Sequence, residues 1–202
     1  MLYSPLLAEL GWVRHGFGTR IDTITQDDMA SLRQIHSAAV LRANAAGVAG
    51  EGDAVATSQR SLPVSIRTAD CYPVLIADDR LRVVAAVHAG WRGTAAQILP
   101  RTLEKLHAEW GSRPEDLRIA IGPGIGGCCY EVGREVAVQF GRTQAGRIDL
   151  AEINRIQLIA AGVVERAIEI VGGCTRCDPE SFHSYRRDGA RAGRMISFIQ
   201  AS

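Results

Sequence analysis

Apolar positions along this chain follow two rhythms. Pro73–Ala77 and Leu81–Val87 are short, nearly unbroken apolar runs separated by Asp78–Asp79–Arg80, a sequence suited to a tight turn. They predict a β-hairpin with Cys71 entering one strand and His88 leaving the other, and antiparallel pairing brings those two ends together. Shorter strand-like stretches lie at Trp12–Phe17, Ala39–Arg42, Asp53–Thr57, Leu62–Arg67, Leu117–Ile121, Ile148–Leu150 and Met195–Ile199. Helical spacing governs the other apolar positions. Ala96, Leu99, Leu103, Leu106 and Trp110 predict one helix, with Thr94 as its N-cap, Gly111 as its stop and Pro100 marking a kink or a late start. Ala151–Val171 carries the longest such pattern. Shorter helices are expected from Thr25 or Asp27 to Ile35 and from Tyr130 to Phe140, with Asn44–Gly52 a loop. Strands and helices interleave with hairpins among them. That predicts an α/β fold, a layered mixed-sheet sandwich with helices on its outer faces, over one domain from 1 to 202.

Composition narrows the setting. The chain has 202 residues, 47% hydrophobic and 22% charged, with a formal net charge of +1. The hydrophobic share supplies a sizeable core, and the charge gives no electrostatic case for nucleic acid or a membrane surface. No apolar run nears a membrane span, and Met1–Trp12 does not read as a signal peptide, so a soluble cytoplasmic protein is expected. Five cysteines, an odd number, argue against a disulfide framework.

Candidate chemistry centres on His36, Cys71 and His88, each at the end of an expected element. Three N/S ligands with an open fourth position make up a catalytic zinc site. A Cys-His nucleophile pair and ordinary buried side chains fit the same spacing. The glycine-rich stretch Gly122–Gly127 is expected to open a helix, where backbone N–H groups favour an anion such as phosphate; a tight turn is the plainer alternative. Cys174-x-x-Cys177 has zinc-like spacing, and Cys128–Cys129 is the only other cysteine pair. The ligand count favours buried, inert thiols over a structural zinc. Arg186 and Arg187, and Arg92 between glycines, have the geometry to clamp phosphate, although solvated loops hold such residues more often.

Four ordered motifs carry a resemblance: Ala69–Asp70–Cys71–Tyr–Pro73, His88–Ala–Gly90–Trp91–Arg92–Gly93, Ile121–Gly–Pro123–Gly–Ile125–Gly126 leading to Cys129–Tyr130–Glu131–Val132–Gly133, and Ser184–Tyr185–Arg186–Arg187–Asp188–Gly189. Together they resemble the bacterial laccase-domain family, once labelled multicopper polyphenol oxidase and now read as purine nucleoside phosphorylases. The resemblance covers about Gln34 to the C-terminus. It implies a metalloenzyme with zinc, or alternatively copper, on His36, Cys71 and His88. It further implies phosphorolysis of adenosine, inosine, guanosine and methylthioadenosine, with adenosine deamination beside it. The expected partners are a purine nucleoside and phosphate, in a monomer or homodimer. On that scheme Cys71 and His88 are catalytic, Asp70 is an acid for the leaving purine, and Arg92, Arg187, Gly124 and Gly126 hold phosphate. Two departures stand out: Ser37 follows His36 where the family usually has Gly, and the interval from Phe17–Arg20 to Gln34 is short. The competing expectations are a copper polyphenol oxidase, for which five histidines are few, a Cys-His hydrolase or deamidase, and a catalytically weakened binding protein.

Overall fold

A computed structural model describes residues 1–202. Thirteen strands run in chain order as β1 (Val13–Phe17), β2 (Ala30–Arg33), β3 (Val40–Arg42), β4 (Gly47–Glu51), β5 (Ala54–Thr57), β6 (Val64–Thr68), β7 (Tyr72–Asp78), β8 (Val84–Ala89), β9 (Leu117–Ile121), β10 (Glu131–Val132), β11 (Gly146–Arg147), β12 (Ile168–Ile170) and β13 (Met195–Ala201). The helices are α1 (Pro5–Ala8), α2 (Trp91–Ala95), α3 (Ile98–Trp110), α4 (Arg134–Ala137), α5 (Leu150–Ala160) and α6 (Tyr185–Asp188).

Two mixed sheets dominate. One has the order β12-β9-β7-β8-β5-β3 and the other β1-β13-β6-β2-β4. The β7–β8 hairpin forms the middle of the first, pairing Pro73 with His88 and Ala77 with Val84. Both strands are buried along their whole length, which explains their unbroken apolar sequence: each face of a central strand meets a core. Val74, Ile76, Ala85 and Val87 point into one core with α3 and α5. Leu75, Ala77, Val84 and Ala86 point into the other, shared with Phe17, Val64, Ile66 and Ile199 of the second sheet. The layers are thus sheet, sheet, helices. No helix is long and apolar enough to cross a membrane.

Several local expectations give way. The helix expected up to Ile35 is instead β2, paired in parallel with β4 and β6. Asn44–Gly52 is not a loop throughout, since Gly47–Glu51 forms β4. Thr94 lies inside α2 rather than capping α3, and α3 starts late, so that Pro100 sits in its first turn, where a missing N–H costs nothing. Gly111 ends α3 at φ +73°. The stretch expected as a helix from Tyr130 opens with β10 and holds only the short α4 and a 3₁₀ turn. Ile148–Leu150 is no strand: Asp149 caps α5 through its side chain, accepting from Glu152 N–H. The pattern up to Val171 is two elements, because Gly162 at φ +94° stops α5 and Ile168–Ile170 turns into β12 beside β9.

The arrangement collects chain ends. The C-termini of β9 and β12, the N-terminus of β7 and the C-terminus of β8 all lie at one end of the six-stranded sheet.

Candidate functional site

His36, Cys71 and His88 meet at that end, with their nearest ligand atoms within 4.8 Å of one another. Each is placed by a different element. His88 sits near the end of β8, buried, and its Nδ1 lies 2.8 Å from Asp53 Oδ1. That leaves Nε2 as the nitrogen facing the cluster, and the carboxylate fixes both tautomer and ring plane, as expected of a metal-ligating histidine. Cys71 immediately precedes β7. His36 lies in the link from β2 to β3 in a left-handed conformation, φ +58°, which an L residue adopts only when its surroundings hold it. Asp53 does the holding: its oxygens accept the backbone N–H groups of Ile35 at 3.3 Å, His36 at 3.0 Å and Ser37. The Ser37 hydroxyl adds a bond of 2.8 Å to Asp53 and accepts from Ala39 N–H. Gly90 faces Cys71 so closely that a Cβ there would stand 2.8 Å from the sulfur, which restricts that position to glycine.

The charges are interlocked. Burial pushes the Cys71 thiol up, but His36 and His88 outweigh it and bring it down to about 7. Burial lowers His88, yet Asp53 and Cys71 raise it to about 9. Burial raises Asp53, and His88 with the Ser37 donors hold it down at about 2. A thiolate ringed by two imidazoles is a ready donor set for a soft or borderline cation.

The cluster lies in a cavity of about 860 Å³, within the size range of small-molecule sites. Four guanidinium groups line it, from Arg67, Arg92, Arg186 and Arg194. None of the four forms an ion pair; the arginines that do so are elsewhere. Asp70 is the sole acidic side chain in the lining, so the cavity favours an anion. Trp91, Tyr130 and Tyr185 provide aromatic wall. The Arg92 guanidinium lies 4.4 Å from the Trp91 ring centre and that of Arg186 lies 5.2 Å from Tyr130.

Some expected residues lie apart from the chemistry. Gly124 and Gly126 are outside the cavity lining: a Cβ on Gly124 would strike the Tyr72 ring, and one on Gly126 would press on Cys174 and Cys128. The loop that carries them leads into β10 rather than a helix, so no helix N-terminus is presented there. Arg187 also faces away from the cavity, donating to the carbonyls of Thr175 and Phe182 and pairing with Asp188. Asp70, at φ +84°, has both carboxylate oxygens engaged at 2.6 Å, by the Thr175 hydroxyl and by Arg186 N–H. Arg92 alone of the four expected phosphate contacts lines the cavity. No motif or spacing singles out Asp53, in Glu51–Gly52–Asp53–Ala54, or Arg67 and Arg194. Arg186 was visible in its motif beside Arg187.

Comparison with known proteins adds a second line. Residues 16–202 match the family model described as multi-copper polyphenol oxidoreductase laccase. A purine nucleoside phosphorylase from Deinococcus radiodurans is 42% identical over 184 residues, covering 86% of this chain and 70% of that protein. An adenosine deaminase named RL5, from an unknown prokaryote, is 34% identical over 197 residues, covering 86% and 75%. Among solved structures, a Bacillus licheniformis protein titled YfiH superimposes with a TM-score of 0.90 at 26% identity, covering 96% of this chain and 94% of the other. YlmD from Geobacillus stearothermophilus gives 0.89 at 25% identity, covering 98% and 94%.

Proposed function

The chain belongs to the multi-copper polyphenol oxidoreductase laccase family, and from that footing we propose that it phosphorolyses purine nucleosides. The substrates would be adenosine, inosine, guanosine and methylthioadenosine. The observation that carries the reading is the cavity: four arginines without carboxylate partners and three aromatic side chains stand over a two-histidine, one-cysteine cluster. Phosphate needs the first, a planar base the second. Relatives named as purine nucleoside phosphorylases and an adenosine deaminase support an enzyme of nucleoside metabolism.

His36, Cys71 and His88 fit a metal ion by donor type and by mutual spacing, and we assign zinc to them; when bound it supplies Lewis acidity at the cavity floor. Asp53 keeps the His88 proton on Nδ1 and holds His36 in place through the backbone. Arg92 and Arg186 are placed to orient phosphate, each braced on an aromatic ring, with Arg67 and Arg194 adding positive charge. Trp91, Tyr130 and Tyr185 offer stacking surface for the purine and exclude water from it. In the reaction a phosphate oxygen forms a bond to ribose C1′ while the bond from C1′ to the purine nitrogen breaks; the purine leaves with the electron pair and takes a proton. Asp70 acts as a positioning residue, since both its oxygens are already bonded.

Incubation of the purified protein with each nucleoside and phosphate, followed by product separation, tests the reading. Free base plus the matching sugar 1-phosphate is expected: ribose 1-phosphate from adenosine, inosine and guanosine, and 5-methylthioribose 1-phosphate from methylthioadenosine. Base plus free ribose, or no product, overturns it. Inosine formed from adenosine without phosphate consumption marks the second reading, deamination, which the likeness to an adenosine deaminase favours.

A further inference from the structure

Four cysteines remain outside that chemistry. Cys128 and Cys129 end the loop after β9, and Cys174 and Cys177 form the turn after β12. The parallel pairing of β9 with β12 and the bridge between Gly124 and Cys174 bring these segments together. All four sulfurs lie within 4.8 Å of one another, and none lines the cavity. The Cys129 and Cys177 sulfurs are 3.3 Å apart, and those of Cys128 and Cys177 are 3.7 Å apart. Both exceed a disulfide bond of about 2.05 Å. The longer matches the spacing of about 3.8 Å that four sulfurs adopt around one tetrahedral zinc at 2.3 Å, and the shorter lies about 0.5 Å inside it. An iron–sulfur cluster, with several metal atoms, spreads its cysteines wider.

The geometry points to a second metal site, a closed tetrathiolate holding one zinc ion on Cys128, Cys129, Cys174 and Cys177. The backbone is already arranged for it. Gly126 N–H donates to Cys174 Sγ at 3.2 Å, and a side chain at Gly126 would crowd both Cys174 and Cys128. Arg187 grips the carbonyls of Thr175 and Arg176 inside the Cys174–Cys177 turn. Metal binding displaces thiol protons, so one divalent cation lets all four sulfurs share this space.

The site would act as a clasp, because the two segments it joins hold the residue beside Cys71. Thr175 donates its hydroxyl to Asp70, and Ile125 N–H donates to the Asp70 carbonyl at 2.8 Å. Tyr72, on the other side of Cys71, donates to the Ile125 carbonyl at 3.0 Å.

Elemental analysis of the full chain, purified in reductant and loaded with zinc alone, tests the assignment. The Cys128→Ser/Cys177→Ser double variant is expected to hold about one zinc fewer per chain than the parent, whereas His88→Ala retains that ion. Because these cysteines are largely exposed, the double variant should remain soluble. As a second measurement, cobalt loaded into His88→Ala should show the strong sulfur-to-cobalt charge-transfer absorption of a tetrathiolate. Equal zinc in parent and double variant overturns the proposal. So does acid-labile sulfide, or a cysteine disulfide in the parent that persists with zinc present.

Discussion

Two clusters of soft ligands occupy the same end of the same sheet and are built on opposite plans. The first draws one residue from each of three places, mixes two imidazoles with a thiolate, and opens into a cavity rich in arginine. The second takes four thiols, two from each of two neighbouring turns, and stands outside the lining of that cavity. In the first, a buried carboxylate tunes and orients the ligands. In the second, backbone N–H groups and an arginine on the turn carbonyls do that work. Three ligands leave room for a reactant, whereas four complete the tetrahedron.

The largest effect that distinguishes them is expected at Cys71. Cys71→Ala should lower kcat/KM for phosphorolysis by about 10³-fold, equivalent to about 4 kcal/mol, with one metal ion lost and little change in melting temperature. A variant retaining both turnover and metal would break the division of roles. Removing the clasp should do the reverse. Cys128→Ser/Cys177→Ser should lower the melting temperature by about 10 °C, what roughly 4 kcal/mol costs a chain of this size, while some activity persists in the folded fraction.

Two arginines sharpen the contrast, since Arg92 and Arg187 look alike in the sequence as phosphate ligands. Arg92→Ala should raise KM for phosphate by roughly 10- to 100-fold, the worth of one charge-assisted hydrogen bond. Arg187→Lys should leave that KM alone and weaken zinc retention at the four cysteines. Asp53→Asn should cost about 10- to 100-fold in metal affinity at the first site, read by competition with a chelator, with the second site untouched.

The smallest effect is a control remote from both. Burial holds the His15 imidazole below its ordinary value against the pull of Glu169, and its Nε2 accepts from Ser4 N–H, a bond only the neutral ring makes. With its pKa lowered by folding, its contribution is full above pH 6.5 and fades as pH falls below that value. The difference in melting temperature between metal-free parent and His15→Gln, which isolates this group, should therefore be larger at pH 7 than at pH 5 by a small margin. Any larger acid loss seen only in zinc-loaded protein belongs to ligand protonation.

What was legible followed from locality. The β7–β8 hairpin shows in the sequence because each strand is buried on both faces and the connection between them, residues 79–83, is short, so Cys71 and His88 fall together from spacing alone. His36 stands out only as a histidine at the end of an expected element; no spacing argument sets it beside the other two, and the family resemblance is what joins it to them. β2 and β4 escaped notice because their partners are distant in sequence and parallel, and β4 leaves Val48 exposed, giving no alternation to read. The apolar rhythm of α5 runs on past Gly162 into β12, and a helix stripe and a short strand use the same residue types. Asp53 was hidden for a similar reason. A single carboxylate gains its meaning from three backbone N–H groups 16–18 residues upstream and an imidazole 35 residues downstream.

Asp53 also decides how portable the first site is. The same carboxylate fixes the His88 ring and shapes the backbone under His36, so the two histidines are not independent parts. Grafting His36, Cys71 and His88 onto another scaffold would transfer three side chains without the hub that aligns them. A transplant that works would have to carry Ile35–Ser37, Asp53 and the β7–β8 hairpin as one unit. In a screen of random variants, Asp53 should consequently behave as a fourth member of the triad.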